Sequence, residues 1–506
     1  MKRPSSRVCR LRAQRAVAAI AVLVGCSRGS HDRPALQPEG NPQSMPPSGM
    51  SESQRSPMGG ANAAAAGAGG SAAGNSGQTG ARDSDAGPAL DPSDPGMVIA
   101  EPDDDASQVF AANELRSYNL ILAAPDLALL DQDPAAEAYV QGMLEVDGEQ
   151  HGPVGIRYKG SVGAFQPPCT TGGGFSGQPG GAKAGKCSIK VAFDHVDPEG
   201  RFHGLKKLNF HAMNADRSML RERLVYTLFR EAGVASPRIV HARVLINGQL
   251  EGLFALVEQI DSRFTRARFT EGGKGNLYKE IWPRHDDRQA YLNALESNRN
   301  DMPSVDKVLA FKAAIGMGEG AASAWIDRDY LLHYLAADRV TINDDGFLHW
   351  WCLTQGQGNN PGGIGNHNYY WYEATTAERF WLIPWDVDMS LGGNPRVRIE
   401  PEWREPGACE CAGDFFGSMA AVCDPLIDDW AMLGTDYDAA VDSFLAGPFS
   451  EANVTAKLDA WSAQITPVVE ESSGMKLAPT DAEWMLAAQE LRAVVNAARA
   501  NRGSAY

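Results

Sequence analysis

The chain of 506 residues lacks a long hydrophobic run, an excess of positive charge and a cluster of histidines. Its apolar segment near the N-terminus, residues 16–25, is too short to span a bilayer. Lysine and arginine total 46 against 63 aspartates and glutamates, and the net charge of −17 argues against a nucleic-acid partner bound by a basic surface. The missing histidine cluster also disfavours a metal-dependent hydrolase.

The chain has eight cysteines, and none of them forms the paired CxxC motif of a zinc site. If Cys9 and Cys26 belong to an N-terminal export signal, an even number of cysteines remains. In an exported chain this favours disulfides. The six are Cys169, Cys187, Cys352, Cys409, Cys411 and Cys423.

A glycine-rich stretch lies between Cys169 and Cys187 and contains a literal G-x-G-x-x-G over residues 172–177. No helix pattern follows it, as a phosphate-binding loop would require. We therefore predict a surface loop closed by a Cys169–Cys187 disulfide, with the pairing of the other four cysteines left open.

The first hundred residues have the composition of an export signal followed by a tether. An arginine-rich start leads into the apolar segment and then into LVGC, which ends at Cys26. LVGC is similar to the lipobox of bacterial lipoproteins, which predicts a signal peptide over 1–25 and lipidation of Cys26. An ordinary secretory signal cut elsewhere is the alternative, and both export the protein. Residues 26–98 are dominated by Gly, Ala, Ser and Pro, which predicts a disordered tether.

The remaining domain, residues 99–500, has the patterns of an α+β fold. Its first half, about 105–260, is rich in predicted strands, and its second half, about 261–500, is rich in predicted helices. Two Asx-Gly pairs, at 147–148 and 247–248, lie between alternating apolar segments and predict β-hairpins.

Charged residues stand out on two of these elements. Lys186 and Lys190 alternate with apolar residues on a predicted strand, so they share one face of it. Residues 216–233 predict an amphipathic helix capped by Asp216 or Ser218, and Glu222 lies at the rim of its apolar stripe. Each side chain could also be simply solvated, or part of a surface ion pair.

Two aspartates end a strand pattern that otherwise indicates a buried position. FWLIPWDVD, residues 380–388, is aromatic and apolar up to Trp385 and then places Asp386 and Asp388 one residue apart. On an extended segment these carboxylates would point the same way and suit Mg²⁺ or another hard cation. A solvated strand end is the alternative.

Several motifs together resemble the spore coat protein H (CotH) kinase family. They are VGIRYKGS, the run from KLNFHAMNADRSMLRERL to LFALVEQID, NDDGF, HNYYWY and IPWDVDMSLG, in the order of that family, over about residues 105–500. The resemblance implies a two-lobed, atypical protein-kinase-like fold, with a β-rich N-lobe and a helix-rich C-lobe, and it implies ATP with Mg²⁺ or Mn²⁺ as cofactors.

The resemblance also assigns roles to residues. Asp386 and Asn368 would bind the metal with Asp388 as a further ligand, and Asp345, or its neighbour Asp344, would be the catalytic aspartate. For the nucleotide, the residues implied are Lys190 as the phosphate-binding lysine, Lys186 as its substitute, Glu222 as the ion-pair partner and Glu258 near the adenine.

We therefore expect an exported kinase, anchored to a membrane of the bacterial cell envelope by lipid, that phosphorylates Ser or Thr on envelope or extracellular proteins. The alternative is an inactive binding or structural module of the envelope with the same fold. The glycine-rich loop and CLTQGQGNNPGGIG, residues 352–365, look like insertions, and the latter lengthens the connection from Asp345 to Asn368.

Overall fold

The computed structural model describes residues 98–503 except 161–164, 166–167, 172–180, 302, 319, 353–363, 393–402 and 411–417. The predicted signal peptide, Cys26 and nearly all of the predicted tether therefore lie outside the described residues. No helix within the described ranges combines the length and the apolar character needed to cross a membrane.

A closed β-barrel of seven strands forms the first half of the described chain. Its strands are β1 (Arg116–Leu122), β2 (Val140–Val146), β3 (Glu149–Tyr158), β4 (Ile189–Ala192), β5 (Lys207–His211), β6 (Ile239–Ile246) and β7 (Gln249–Val257). They follow each other in the order β1-β2-β3-β4-β5-β7-β6. The parallel pairing of β1 with β6 closes the barrel, and the other pairs are antiparallel.

Both predicted hairpins are present in the barrel. The turn at 147–148 joins β2 to β3, and the turn at 247–248 joins β6 to β7. All four turn residues have positive φ, between 50° and 82°, which Asx-Gly pairs adopt more readily than other sequences. Alternate side chains of the strands fill the barrel with an apolar core of its own.

Helices and two small sheets make up the second half. The strands are β8 (Asn276–Lys279), β9 (Trp350–Cys352), β10 (Ile364–Gly365), β11 (Tyr369–Glu373), β12 (Phe380–Pro384) and β13 (Ser418–Met419). They form sheets of order β12-β11-β8 and β10-β9-β13.

The helices of both halves are α1 (Ala124–Gln132), α2 (Arg221–Glu231), α3 (Ser262–Arg268), α4 (Arg288–Asn293), α5 (Asp306–Ile315), α6 (Arg328–Val340), α7 (Pro425–Ala431), α8 (Gly434–Ala446), α9 (Glu451–Glu471) and α10 (Asp481–Ala500). The fold is therefore mixed α+β, as predicted.

Helix α2 connects the barrel to the second half. It packs against β6, α6 and α9, and its residues from Glu222 to Arg230 are buried. It begins at Arg221, later than the predicted caps. Asp216 nevertheless contributes at this end, because its Oδ2 accepts a hydrogen bond from the Arg221 N–H at 2.8 Å.

The predicted Cys169–Cys187 disulfide is confirmed, with Cα atoms 4.7 Å apart. Cys409 and Cys423 form a second bridge. Cys352 is also disulfide-bonded, whereas Cys411 lies outside the described residues. The cysteines thus form cross-links, as expected for an exported chain.

Candidate active site

A lysine, a histidine and a glutamate form a chain of polar contacts between the barrel and α2. Lys159 directly follows β3 and His211 ends β5, while Glu222 lies in the first turn of α2. Lys159 Nζ lies 2.7 Å from His211 Nε2, and His211 Nδ1 lies 2.7 Å from Glu222 Oε1. A neutral imidazole satisfies both contacts by accepting from the lysine and donating to the glutamate. We call these three residues the Lys159 relay.

The lysine of the relay has a lowered pKa. Burial lowers the pKa of Lys159 to about 8, although the carboxylates of Asp386 and Glu222 oppose the shift. The ammonium group also lies 5.6 Å from the centroid of the Trp385 ring. Lys159 is therefore confined at the end of the barrel that faces Asp386.

Lys190 lies on the same surface but does not pair with Glu222. It occupies β4, in register with Arg157 on β3 and Asn209 on β5. Burial and then the cations of Lys159 and Arg157 hold the pKa of Lys190 well below its usual range. The predicted ion pair of Lys190 with Glu222 is absent from the described residues, and Glu222 instead pairs through Oε1 with His211.

Lys186, the predicted substitute, is directed elsewhere. Its Nζ donates to the Leu253 carbonyl on β7 and lies 4.8 Å from the Phe254 ring centroid. β4 begins only at Ile189, so Lys186 is not part of the alternating strand that was predicted to align it with Lys190.

The two aspartates after β12 lie in a tight turn. Asp386 has φ 50° and ψ 59°, and residues 387–389 form a 3₁₀ turn, so the prediction of an extended i, i+2 pair was wrong. Helix α2 holds this turn at two points. The Asp386 N–H donates to Tyr226 Oη at 2.9 Å, and Arg221 Nη1 donates to the Asp388 carbonyl at 2.8 Å.

Repulsion between carboxylates is evident in this turn. Burial and the Glu222 carboxylate raise the pKa of Asp386, against the opposing effect of His211 and Lys159. Burial and Asp386 itself raise the pKa of Asp388 well above its usual range. The site thus concentrates negative charge, which a bound cation would offset.

Asp345 lies in the loop after α6 and is held by three side chains. Its Oδ2 accepts a hydrogen bond from Asn368 Nδ2 at 2.9 Å, and its Oδ1 accepts one from Trp351 Nε1 at 3.1 Å. His367 Nε2 forms an ion pair with Oδ1 at 3.0 Å. Burial opposes charge on His367, but Asp345 outweighs it and raises the pKa of His367 to about 9. The neighbouring Asp344 is buried.

Buried polar contacts join the Asp345 loop to the Asp386 turn. Asn343 Nδ2 donates to Asp338 Oδ1 at 2.8 Å, and Ser390 Oγ donates to Asn343 Oδ1 at 3.2 Å. The Leu391 N–H donates to the Thr341 carbonyl at 2.9 Å. Asp345, the predicted catalytic residue, and the predicted metal ligands Asp386 and Asp388 therefore lie on two connected loops.

The donor set fits a hard cation. Asn368 Nδ2 donates to the backbone carbonyl and to a side-chain oxygen of Asp345. The other end of this amide, Oδ1, is the atom that could reach a cation. With Asp386 and Asp388 it would supply the oxygen ligands that Mg²⁺ prefers. No three His, Cys, Asp or Glu side chains of the described residues converge as a complete metal site. Ligands from substrate phosphates are usual for Mg²⁺.

Glu258 lies in a different environment from the relay. It follows β7, is 1% exposed, and pairs with Arg268 at 2.6 Å and Arg238 at 2.7 Å. Arg263 is 3.6 Å away and also binds Asp104 at 2.9 Å. The structure thus places Glu258, predicted near the adenine, at the centre of an arginine cluster that occupies both of its carboxylate oxygens.

Replacing Glu258 by Gln should destabilise the protein at neutral pH. Burial alone would raise the pKa of Glu258, but Arg268 and Arg238 outweigh it and hold that pKa at about 2. A depressed carboxyl pKa stabilises the fold above the unfolded value and loses this effect as pH falls through the folded one. We expect the variant to lose about 3 kcal/mol at pH 7.

The pH dependence distinguishes this charge effect from a packing defect. The stability difference between wild type and the Gln variant should shrink as pH falls from about 4.5 to about 2. Denaturant unfolding at several pH values measures it, with the exposed Glu470→Gln as the matched control. A difference that does not change with pH would contradict the role of the charge.

Sequence reasoning missed Lys159, His211, Trp351 and His367. A signal for Lys159 was present, because period two in the predicted strand GIRYKG puts it on the same face as Arg157. His211 also ends an apolar strand. Only the strand pairing shows that these two side chains meet Glu222.

Phosphoryl-transfer proteins use residues of the types found here: a lysine bound by polar contacts, an aspartate held by an asparagine, and a turn with two aspartates. The family model of the CotH kinase protein matches residues 156–501, so this chain belongs to the CotH kinase family, as the motifs predicted. Inner spore coat protein H of Bacillus subtilis (strain 168) is 24% identical over 212 residues, which are 38% of this chain and 51% of that relative. The chain therefore covers about half the length of this relative.

Proposed function

We propose that this chain is an exported, metal-dependent protein kinase that transfers the γ-phosphate of ATP to Ser or Thr hydroxyls of envelope or extracellular proteins. Membership of the CotH kinase family supports the kinase class. The observation that carries the proposal is the contact of the Asn368 amide with Asp345, in which Nδ2 donates to the carboxylate at 2.9 Å and so joins a proposed metal ligand to the proposed catalytic aspartate. In the two-lobed arrangement that we propose, the barrel is the N-lobe and the helical half is the C-lobe.

The relay would bind the phosphates. Glu222 and His211 orient Lys159 without neutralising it by direct contact, so its Nζ retains donors for a phosphate oxygen. Lys190 lies on the adjacent strand β4, and a bound phosphate would favour the charged form of this buried lysine. Asn368, Asp386 and Asp388 would hold Mg²⁺ or Mn²⁺, and the bound metal–ATP complex supplies the phosphoryl group and offsets its charge.

Asp345 would act on the acceptor. Its carboxylate accepts a hydrogen bond from the Ser or Thr hydroxyl, orients the oxygen towards the γ-phosphorus and receives the proton as the new O–P bond forms. The donors on Asp345 keep the carboxylate in one orientation. Phosphoryl transfer needs mainly alignment and charge neutralisation, and these residues provide both.

Export and anchoring complete the proposal. The disulfides are compatible with an oxidising compartment outside the cytoplasm. Lipidation of Cys26 would attach the chain to a membrane of the envelope through the predicted tether. Mass spectrometry of the mature N-terminus tests this, and an unmodified terminus at another position would remove the anchor while leaving export intact.

Lys159→Met should weaken binding of ATP with Mg²⁺ by about 10- to 100-fold, the scale of one lost hydrogen bond to a charged group. Lys190→Met should have a smaller effect, because no partner orients Lys190 among the described residues. Calorimetry on the full chain measures both, with Lys457→Met on α9 as a control that removes the same charge elsewhere.

Two outcomes would contradict different parts of this proposal. If Lys159→Met binds ATP like the Lys457→Met control, the relay is not the phosphate site. If the wild-type chain binds no nucleotide with any divalent metal, the kinase proposal is wrong and an envelope binding module takes its place.

A further inference from the structure

The two side chains that contact Oδ1 of Asp345 come from outside its own loop. Trp351 lies on β9, and His367 precedes β11. Trp351 Nε1–H donates to Oδ1 at 3.1 Å, and His367 Nε2 lies 3.0 Å from the same oxygen as an ion-pair partner, while Oδ2 accepts from Asn368 Nδ2. Two neighbours therefore crowd Oδ1, whereas Oδ2 accepts one hydrogen bond among the described residues and keeps a lone-pair position for a further donor.

The indole that contacts Asp345 is itself tightly fixed. Trp351 is 4% exposed and lies on the central strand of the β10-β9-β13 sheet, paired with Gly365 on one side and Ser418 on the other. Its ring stacks on His349, with centroids 3.8 Å apart and planes inclined by 17°. The Nε1–H therefore has one direction in which to donate, and that direction leads to Asp345.

We infer that Trp351 and His367 are positioning residues that occupy Oδ1 of Asp345 and so leave Oδ2 as the atom that receives the acceptor hydroxyl. The inference rests on the proposed kinase function for its catalytic consequence. In the step, the hydroxyl proton passes to Oδ2, the acceptor oxygen bonds to the γ-phosphorus, and the bond from that phosphorus to the bridging oxygen breaks to release ADP.

Trp351→Phe tests the inference, because phenylalanine keeps an aromatic ring against His349 and removes only the donor. We expect kcat to fall by about 10- to 100-fold, the scale for a reacting group displaced by a fraction of an ångström to one ångström. The KM for ATP should not change, since the residues proposed to bind ATP are intact. Trp350→Phe is the matched control, because Trp350 is buried on the same strand and its Nε1 has no hydrogen-bond partner among the described residues.

His367 is tested by a pair of variants. His367→Gln keeps a side-chain N–H donor, whereas His367→Ala removes it, so the Gln variant should retain more of the wild-type kcat. A residue that only supports the fold would not distinguish between the two at equal stability, which denaturant unfolding measures.

A double-mutant cycle separates positioning from general packing. In an Asp345→Asn background, Trp351→Phe should reduce kcat little further, because the indole acts through the carboxylate that is already gone. A Trp351→Phe effect that equals that of Trp350→Phe, or that multiplies fully with Asp345→Asn, would overturn the inference.

A spectroscopic readout keeps the inference testable in a protein without activity. The Trp351 indole N–H resonance, identified by its loss in Trp351→Phe, should shift upfield in Asp345→Ala as its hydrogen bond is lost. If wild type transfers no phosphate while this shift is seen, the proposed function fails and the contact stands. If the resonance does not respond to Asp345→Ala, the positioning role is wrong whatever the activity.

Discussion

Asp345→Asn should leave the binding of ATP and Mg²⁺ or Mn²⁺ nearly intact while phosphoryl transfer falls by a factor on the order of 10² or more, the usual scale for losing a positioned acid or base. The proposed metal ligand Asn368 and the Lys159 relay are unchanged in this variant, so the nucleotide keeps its contacts. The amide that replaces the carboxylate cannot take the proton of the acceptor hydroxyl. It also brings an NH₂ donor next to Trp351 Nε1 and Asn368 Nδ2, which donate to the carboxylate in the wild type.

Calorimetry with ATP and metal, beside a transfer assay with labelled ATP and casein-like acceptors, measures the two quantities separately. Asp344→Asn is the matched control, because it removes the same charge one residue away. Unfolding curves establish first that both variants are folded. If only Asp344→Asn loses phosphoryl transfer, Asp344 is the catalytic residue. If both variants keep transfer, neither aspartate of this loop is catalytic.

Asp386→Ala should abolish metal-dependent nucleotide binding. The turn that carries Asp386 is held by Tyr226 and Arg221, so the backbone should persist when the side chain is shortened. Without this carboxylate the cation loses a ligand charge, and the phosphates would then be held without their bridging metal. Asp388→Ala should weaken binding less, as expected for a supplementary ligand.

Titration of ATP in the presence and absence of Mg²⁺ tests this expectation. Metal should strengthen ATP binding by the wild type and have no such effect on Asp386→Ala. The Lys457→Met variant again serves as a control for a charge change far from the turn. Equal enhancement by metal in wild type and Asp386→Ala would exclude Asp386 as a ligand, and a larger loss in Asp388→Ala would exchange the two roles.

The parts of the site that the sequence predicted are those with a local pattern. Asp386 and Asp388 are recognisable because they interrupt an aromatic strand, and β12 does end just before them. Their mutual geometry was not predictable in the same way. The strand pattern implied an extended pair, whereas the left-handed conformation of Asp386 depends on contacts from α2, which is distant in the sequence.

The lysine illustrates the same limit. Alternation on a predicted strand favoured Lys190, and nothing in that pattern distinguishes it from Lys159 on the neighbouring strand. The choice between them depends on His211, which lies between Lys159 and Glu222 and is brought there by the pairing of β3 with β4 and of β4 with β5. Strand register is a long-range property, and a single sequence does not reveal it.

The amino-acid sequence by itself determined the α+β class, the two Asx-Gly hairpins, the Cys169–Cys187 bridge and membership of the CotH kinase family. The first three follow from residues close together in the chain, whose φ, ψ preferences and periodicity act locally, and family membership follows from several motifs that occur in a fixed order. The tertiary structure alone decided that Lys159 reaches Glu222 through His211, that Glu258 belongs to an arginine cluster, and that Trp351 and His367 hold Asp345. These contacts join side chains from separate strands, helices and loops, and only the packing of those elements brings them within hydrogen-bonding distance.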